Sequence, residues 1–120
     1  MDQTQVVGAG DGADRGSSLA AAASDPVIRE FREKISDVDR GLVDALNNRL
    51  KLVARLKHYK ASRGIDFVDP EREEWMFNYL ARANRGPLTQ EGLREIYGAV
   101  LDLTKAELAR AEAEAQRQTA

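Results

Sequence analysis

The sequence predicts an all-α fold of three helices. Apolar residues recur every three or four positions over long stretches, which is the period of one helix face. A capping aspartate followed by proline occurs twice, at Asp25-Pro26 and Asp69-Pro70, and this pair is typical of a helix start. The sequence lacks the apolar–polar alternation of a half-buried strand, so a sheet is not expected.

The first predicted helix is unusually long. It begins at Pro26, and Gly64 supplies a natural stop. Its apolar positions are Ile28, Phe31, Ile35, Val38, Leu42, Ala45, Leu52, Leu56 and Tyr59. A helix over about residues 26–63 would be roughly 57 Å long, well beyond the usual length in a globular domain.

Two shorter helices complete the predicted domain. Pro70 opens the second, which ends near Asn84 because Arg85-Gly86-Pro87 breaks the chain. Thr89 caps the third, over about residues 90–117. Its predicted inner side consists of Leu93, Ile96, Tyr97, Val100, Leu101, Thr104 and Leu108.

The first 25 residues differ in composition from the rest. They are rich in Gly, Ala, Ser and Asp and offer few side chains to bury, so we expect a disordered N-terminal tail over residues 1–25. A single helical domain is predicted for residues 26–117.

Charge and composition exclude several classes of function. The 18 basic and 20 acidic residues are mixed along the chain, so we expect neither a nucleic-acid-binding surface nor a membrane-binding one. The chain contains no cysteine and one histidine, which argues against a disulfide framework and a metal site. No metal is therefore expected, and the absence of cysteine fits the cytoplasmic location that we predict.

The lengths of the helices predict an assembly. A second helix of about 15 residues and a third helix cannot cover a first helix of roughly 57 Å on all sides. An apolar stripe left exposed is usually a partner site. Pairing of two long helices across a two-fold axis would cover it, and we therefore expect a homodimer.

Cations interrupt the apolar stripe of the first helix. Arg49 and Lys60 project in nearly the same direction, about 16 Å apart at the backbone. Arg32 lies about 25 Å from Arg49 along the axis, so it could share a ligand with Arg49 only across an antiparallel dimer. A charge inside a helical bundle costs free energy unless it is paired. The guanidinium of arginine can form two parallel hydrogen bonds with one carboxylate. These positions predict a site for a small dianion with two carboxylates.

Simpler explanations exist for the same residues. Each cation could be a surface side chain whose apolar stem lies along the helix while its charged end stays in water. Acids at residues 69–73 could serve only the helix dipole, and Thr104 could bond back to a carbonyl. Spacing alone leaves these alternatives open.

Five short motifs, taken in order, resemble the all-helical AroQ-type chorismate mutases over about residues 27–108. They are FREKISDVD at 31–39, LV at 42–43 with NR at 48–49, KHYK at 57–60, DPERE at 69–73 and NRGPL at 84–88. The resemblance implies three helices per chain in an intertwined homodimer with shared sites. It also implies the pericyclic rearrangement of chorismate to prephenate, an isomerase reaction of aromatic amino acid biosynthesis that needs no cofactor.

The resemblance implies a role for each site residue. Arg49, and Arg32 from the other subunit, would bind the two carboxylates. Lys60 would bind the ether oxygen of the breaking bond and one carboxylate, and Glu73 the ring hydroxyl. Asp69 and Arg72 would support the site at the start of the second helix. Thr104 stands where the family commonly has serine.

One position departs from the family pattern. Four residues after Thr104 the family usually has Gln or Glu, a second contact to the ether oxygen, whereas this chain has Leu108 with Glu107 beside it. Such a contact is worth about 10²–10³-fold in rate. Glu107 or another group would replace it, or activity would be low.

Alternative functions follow from the same resemblance. The enzyme could act on isochorismate as a pyruvate lyase, or on aminodeoxychorismate as a mutase. The chain could also be a non-catalytic helical dimer used for regulation. A weak activity could be raised by a separate partner enzyme of the aromatic pathway.

Overall fold

The computed structural model describes residues 19–119, and within them every regular element is a helix. Residues 19–24 belong to α1, and α2 (Pro26–Ser62), α3 (Pro70–Ala83) and α4 (Gln90–Thr119) follow. The all-α prediction is confirmed. The chain divides into two compact units between Ala45 and Leu46, inside α2.

The predicted number of three helices is wrong, because α1 is a fourth. The composition of residues 19–24 predicts disorder, yet these residues are helical. Leucine and alanine make up the first five of them, and both are strong helix formers. The Ser24 hydroxyl donates a hydrogen bond to the Ala21 carbonyl at 3.2 Å. Residues 1–18 of the predicted tail lie outside the described residues.

The start of α2 is capped as predicted. The Asp25 carboxylate accepts hydrogen bonds from the backbone N–H groups of Val27 at 2.8 Å and Ile28 at 3.3 Å. These bonds satisfy two donors that the helix itself leaves free.

An apolar stripe runs along α2 in the first unit. Its five large side chains are 55% to 66% exposed in the single chain: Val27, Phe31, Ile35, Val38 and Leu42. Exposure of a contiguous apolar stripe is unfavourable and usually marks an interaction surface.

A glycine ends α2 in the second unit. Gly64 has φ of 69°, the left-handed region that glycine enters without penalty. The N–H of Ile65 donates to the Lys60 carbonyl at 2.9 Å, and the N–H of Gly64 donates to the Ala61 carbonyl at 3.2 Å. This is the Schellman arrangement, and it satisfies carbonyls at the end of the helix that carries Lys60.

Side-chain caps fix the ends of α3. The Asp69 carboxylate accepts from the backbone N–H of Arg72 at 3.1 Å. At the other end, the Asn84 amide donates to the Leu88 carbonyl at 2.7 Å and accepts from the Gly86 N–H at 3.1 Å. These bonds hold the turn that leads into α4.

The second unit has a small core where α3 meets α4. The start of α4 is capped by Thr89, whose hydroxyl accepts from the Gly92 N–H at 2.9 Å. Among residues 19–119, the buried side chains are Phe77, Thr104 and Leu108.

No helix among residues 19–119 has the length and apolar character needed to cross a membrane.

Candidate functional site

A cavity of about 230 Å³ lies in the second unit, and four segments line it. The end of α2, the following loop, the start of α3 and the middle of α4 all contribute. Six of the seven predicted site residues line it: Arg49, Lys60, Asp69, Arg72, Glu73 and Thr104. The structure therefore brings together side chains that lie up to 55 positions apart in sequence.

Thr104 orients Arg49 at one side of the cavity. The Arg49 guanidinium donates to the Thr104 hydroxyl at 2.6 Å, and that hydroxyl donates to the Val100 carbonyl at 2.7 Å. Thr104 is only 4% exposed, so its hydroxyl has a fixed direction. The hydrogen bond from Thr104 to a carbonyl of its own helix, one of the simpler explanations above, is therefore present. The hydroxyl oxygen still has a lone pair that accepts from Arg49.

Lys60 is held by the loop that follows α2. Its ammonium donates to the Phe67 carbonyl at 3.3 Å. Within residues 19–119, neither Lys60 nor Arg49 forms an ion pair with a carboxylate. Half-buried cations that lack a counter-ion favour an anionic ligand.

The start of α3 supplies acids and a further cation. Arg72 lies over the ring of Trp75, with its guanidinium carbon 4.5 Å from the ring centroid. The Glu73 carboxylate lies 3.4 Å from the ammonium of Lys105 on α4. Asp69 lines the cavity and also caps α3.

The charges of the wall do not balance. Arg49, Lys60, Arg72 and Lys105 are cationic, whereas Asp69 and Glu73 are the carboxylates among the lining residues. The cavity therefore has an excess of two positive charges, which complements a dianion.

Arg32, the seventh predicted residue, does not line this cavity. It lies in the first unit, on an open groove of α2 whose other residues are Arg29, Glu33, Ser36, Asp37 and Arg40. Its assignment to the site of a second subunit stays a prediction.

Position 108 carries no polar contact into the cavity. Leu108 is 7% exposed and part of the core. Glu107 pairs with Arg110 at 2.9 Å, and neither Glu107 nor Leu108 is among the lining residues. The replacement of the missing contact by Glu107 is therefore not seen in this structure.

Several residues that line the cavity are not among the predicted site residues. Lys105 lies beside the predicted inner side of α4, and the apolar pattern did not single it out. Phe67 and Val68 lie in a loop, where no helical period could reveal them. The rest of the apolar wall is Val53, Leu56, Met76, Tyr97 and Leu101.

Metal binding finds no support in the described part of the chain. Residues 19–119 contain no cluster of three or more His, Asp or Glu side chains placed to hold an ion.

The family model and the relatives that match this chain all point to one protein family. Residues 31–108 match the family model described as chorismate mutase type II. Over 86 residues the chain is 34% identical to a bifunctional chorismate mutase/prephenate dehydratase of Aquifex aeolicus (strain VF5), covering 65% of this chain and 24% of that protein. A bifunctional chorismate mutase/prephenate dehydratase of Stutzerimonas stutzeri is 28% identical over 80 residues, covering 62% and 22%. The chain thus spans about a quarter of the length of these relatives.

Solved structures agree with this match. Two structures of a chorismate mutase from Thermus thermophilus, form I and form II, superpose on the chain with TM-scores of 0.63 and 0.65, each at 28% identity. They cover 64% and 69% of this chain and 96% and 94% of their own. The family match extends over most of the chain and includes every lining residue of the cavity. The chain belongs to the chorismate mutase type II family.

Proposed function

We propose that the chain is a chorismate mutase, an isomerase that rearranges chorismate to prephenate in aromatic amino acid biosynthesis. The observation that carries the proposal is the assembly of Arg49, Lys60, Arg72 and Glu73 around one cavity with an excess of two positive charges. Chorismate carries two carboxylates, so its negative charge complements this positive excess, to which Arg32 of a second copy would add.

Substrate binding in this proposal fixes a reactive conformer. Arg49, oriented by Thr104, binds one carboxylate, and Arg32 of a second copy of the chain binds the other. Holding both carboxylates folds the flexible enolpyruvyl arm over the ring. Because the rearrangement is unimolecular, this positioning acts by selecting the reactive conformer of a single flexible substrate.

Lys60 supplies the electrostatic part of the mechanism. As the C–O bond breaks, the ether oxygen gains negative charge, and an ammonium already in place stabilises this state more than the ground state. The bond from Lys60 to the Phe67 carbonyl keeps the ammonium at the cavity wall. Glu73 accepts a hydrogen bond from the ring hydroxyl, and Arg72 supports the carboxylate end.

The proposed enzyme is an intertwined homodimer. The exposed apolar stripe of α2 supports this part of the proposal, because a second copy would remove these five side chains from water. The second copy would also supply its Arg32 to the cavity of the first copy. The cytoplasmic location and a partner enzyme of the aromatic pathway stay predictions.

Incubation of the purified protein with chorismate tests the proposed activity. We expect chorismate absorbance to fall and prephenate to appear as the product, identified by chromatography against a prephenate standard because the two isomers have the same mass. Lys60→Ala should lower kcat by about 10²–10³-fold, because it removes a charge aimed at the transition state. Circular dichroism serves as the control for folding. Full activity of Lys60→Ala, or no loss of chorismate with wild-type protein, would contradict the proposal.

A second candidate is a related reaction on isochorismate or aminodeoxychorismate. The observation that favours it is Leu108, which is buried and apolar where the resemblance implies a polar contact to the ether oxygen. The three substrates give different products, so side-by-side product analysis separates the candidates.

A further inference from the structure

Lys105 is a cation of the cavity wall to which the proposed mechanism gives no role. It follows Thr104 on α4, and its side chain is 44% exposed. Its ammonium lies 3.4 Å from the Glu73 carboxylate, longer than the roughly 2.7–2.9 Å of a strong charge-assisted hydrogen bond. The ion pair is therefore loose, and the ammonium remains accessible from the cavity.

Lys105 contributes one of the four positive charges in the cavity wall of the single chain. Without it, three cations would face Asp69 and Glu73, and the excess would fall from two charges to one. The neighbouring wall is apolar, with Leu101 and Met76 among its residues. Low-dielectric walls reduce screening and strengthen the attraction of a charged ligand.

We propose that Lys105 is a substrate-binding residue that selects ligands with two negative charges over ligands with one. Its contribution is Coulombic, so it grows with the charge of the ligand. This inference rests on the proposed function for the identity of the dianion as chorismate. It does not rest on turnover, because binding alone can test it.

The variant Lys105→Gln isolates the charge. Glutamine has a helix propensity close to that of lysine, and its amide can still donate to Glu73. The matched control is Arg110→Gln, on the same helix and outside the cavity. Arg110 also pairs with a glutamate, Glu107, at 2.9 Å, so both variants remove one cation and one ion pair.

Two ligands of different charge complete the design. Prephenate carries two carboxylates and shikimate carries one. Isothermal titration calorimetry gives both dissociation constants. The fluorescence of Trp75, the only tryptophan in the chain, gives a second readout, because Arg72 joins its ring to the cavity wall.

We expect Lys105→Gln to weaken prephenate binding about fivefold to tenfold and shikimate binding only about twofold to threefold. The KM for chorismate should rise by the same factor as the prephenate constant, and Lys105→Arg should restore it. Arg110→Gln should change each constant less than about twofold.

The outcomes separate this inference from the proposed function. Equal losses for both ligands, or no loss, would overturn the role of Lys105 even if chorismate turnover is normal. A wild-type protein that binds prephenate no better than shikimate would overturn it too. If Lys105→Gln selectively weakens prephenate binding but the wild-type protein does not convert chorismate, the role of Lys105 would be supported and the proposed reaction would be refuted.

Discussion

The hydroxyl of Thr104 connects the position of Arg49 to the backbone of α4. It accepts from the guanidinium and donates to the Val100 carbonyl. A hydrogen bond to a charged group contributes about 1.5–3 kcal/mol. One buried hydroxyl therefore has a measurable share in how the proposed enzyme binds a carboxylate.

Thr104→Val keeps the shape of the side chain and removes this acceptor. We expect kcat/KM for chorismate to fall about tenfold or more, because Arg49 loses its fixed direction. Thr104→Ser is the matched control and should stay within about threefold of wild type, since it keeps the hydroxyl. Steady-state kinetics at one salt concentration measure both. A valine variant as active as the serine variant would mean that the bond does not position Arg49.

Some residues that line the cavity are visible in the sequence pattern and others are not. Arg49 and Lys60 interrupt an apolar stripe, and a charge on a face expected to be buried is visible in sequence. Lys105 lies beside the stripe and shows no such conflict. Phe67 contributes through its backbone carbonyl, which any residue possesses, so no sequence pattern could have identified it.

Caps explain why the boundaries of the long elements were predicted well. The helices end within two residues of the predicted positions at Ser62, Ala83 and Thr119. Asp25, Asp69 and Gly64 are local signals whose physical effect does not depend on the rest of the fold. The α1 segment was missed because its signal is propensity alone, which tertiary context often overrides.

Gly64 and Gly41 should respond to alanine in opposite directions. Both have open space around the position of an added Cβ, so conformation alone decides the effect. Gly64 has a positive φ, and Gly64→Ala should lower the free energy of unfolding by about 1 kcal/mol. Gly41 lies inside α2, and Gly41→Ala should raise it by about 0.8–1 kcal/mol.

Urea denaturation monitored by circular dichroism measures both glycine variants. The protein concentration must be held constant, because an oligomer's stability depends on it. If both substitutions stabilised the protein, the left-handed end of α2 would not be a feature of the folded chain in solution.

The exposed stripe of α2 bears on the assembly of the whole molecule. Val38→Glu would place a carboxylate in the middle of this stripe. If a second copy covers it, we expect the dimer dissociation constant to rise about a hundredfold or more, because the carboxylate would be desolvated. Asn47→Glu adds the same charge on the other side of α2, at an exposed position outside both the cavity and the Arg32 groove, and should leave the dimer intact. Analytical ultracentrifugation of the variants decides the matter, and a monomeric wild-type chain would refute the dimer.

Sharing of sites between subunits is the most demanding part of the proposal. In the single chain, Arg49 lines the cavity and Arg32 does not. If Arg32 reaches the site of a partner, Arg32→Ala and Arg49→Ala should each inactivate both sites of their own homodimer. A hybrid dimer would then combine both defects in one site and leave the other intact. Equal mixing should restore about a quarter of wild-type activity, since about half of the dimers would be hybrids with one working site.

The mixing experiment needs proof that subunits exchange. Chains carrying different affinity tags allow the hybrid to be purified and its activity measured directly, at about half of the wild-type value per dimer. A mixture of Arg49→Ala with Lys60→Ala is the matched control. Both of these residues line the cavity of one chain, so every site of that hybrid carries one defect and no activity should return. Rescue in the first mixture and none in the second would require Arg32 and Arg49 to act from different subunits on one substrate. An inactive Arg32/Arg49 hybrid would instead show that no site is shared in this way.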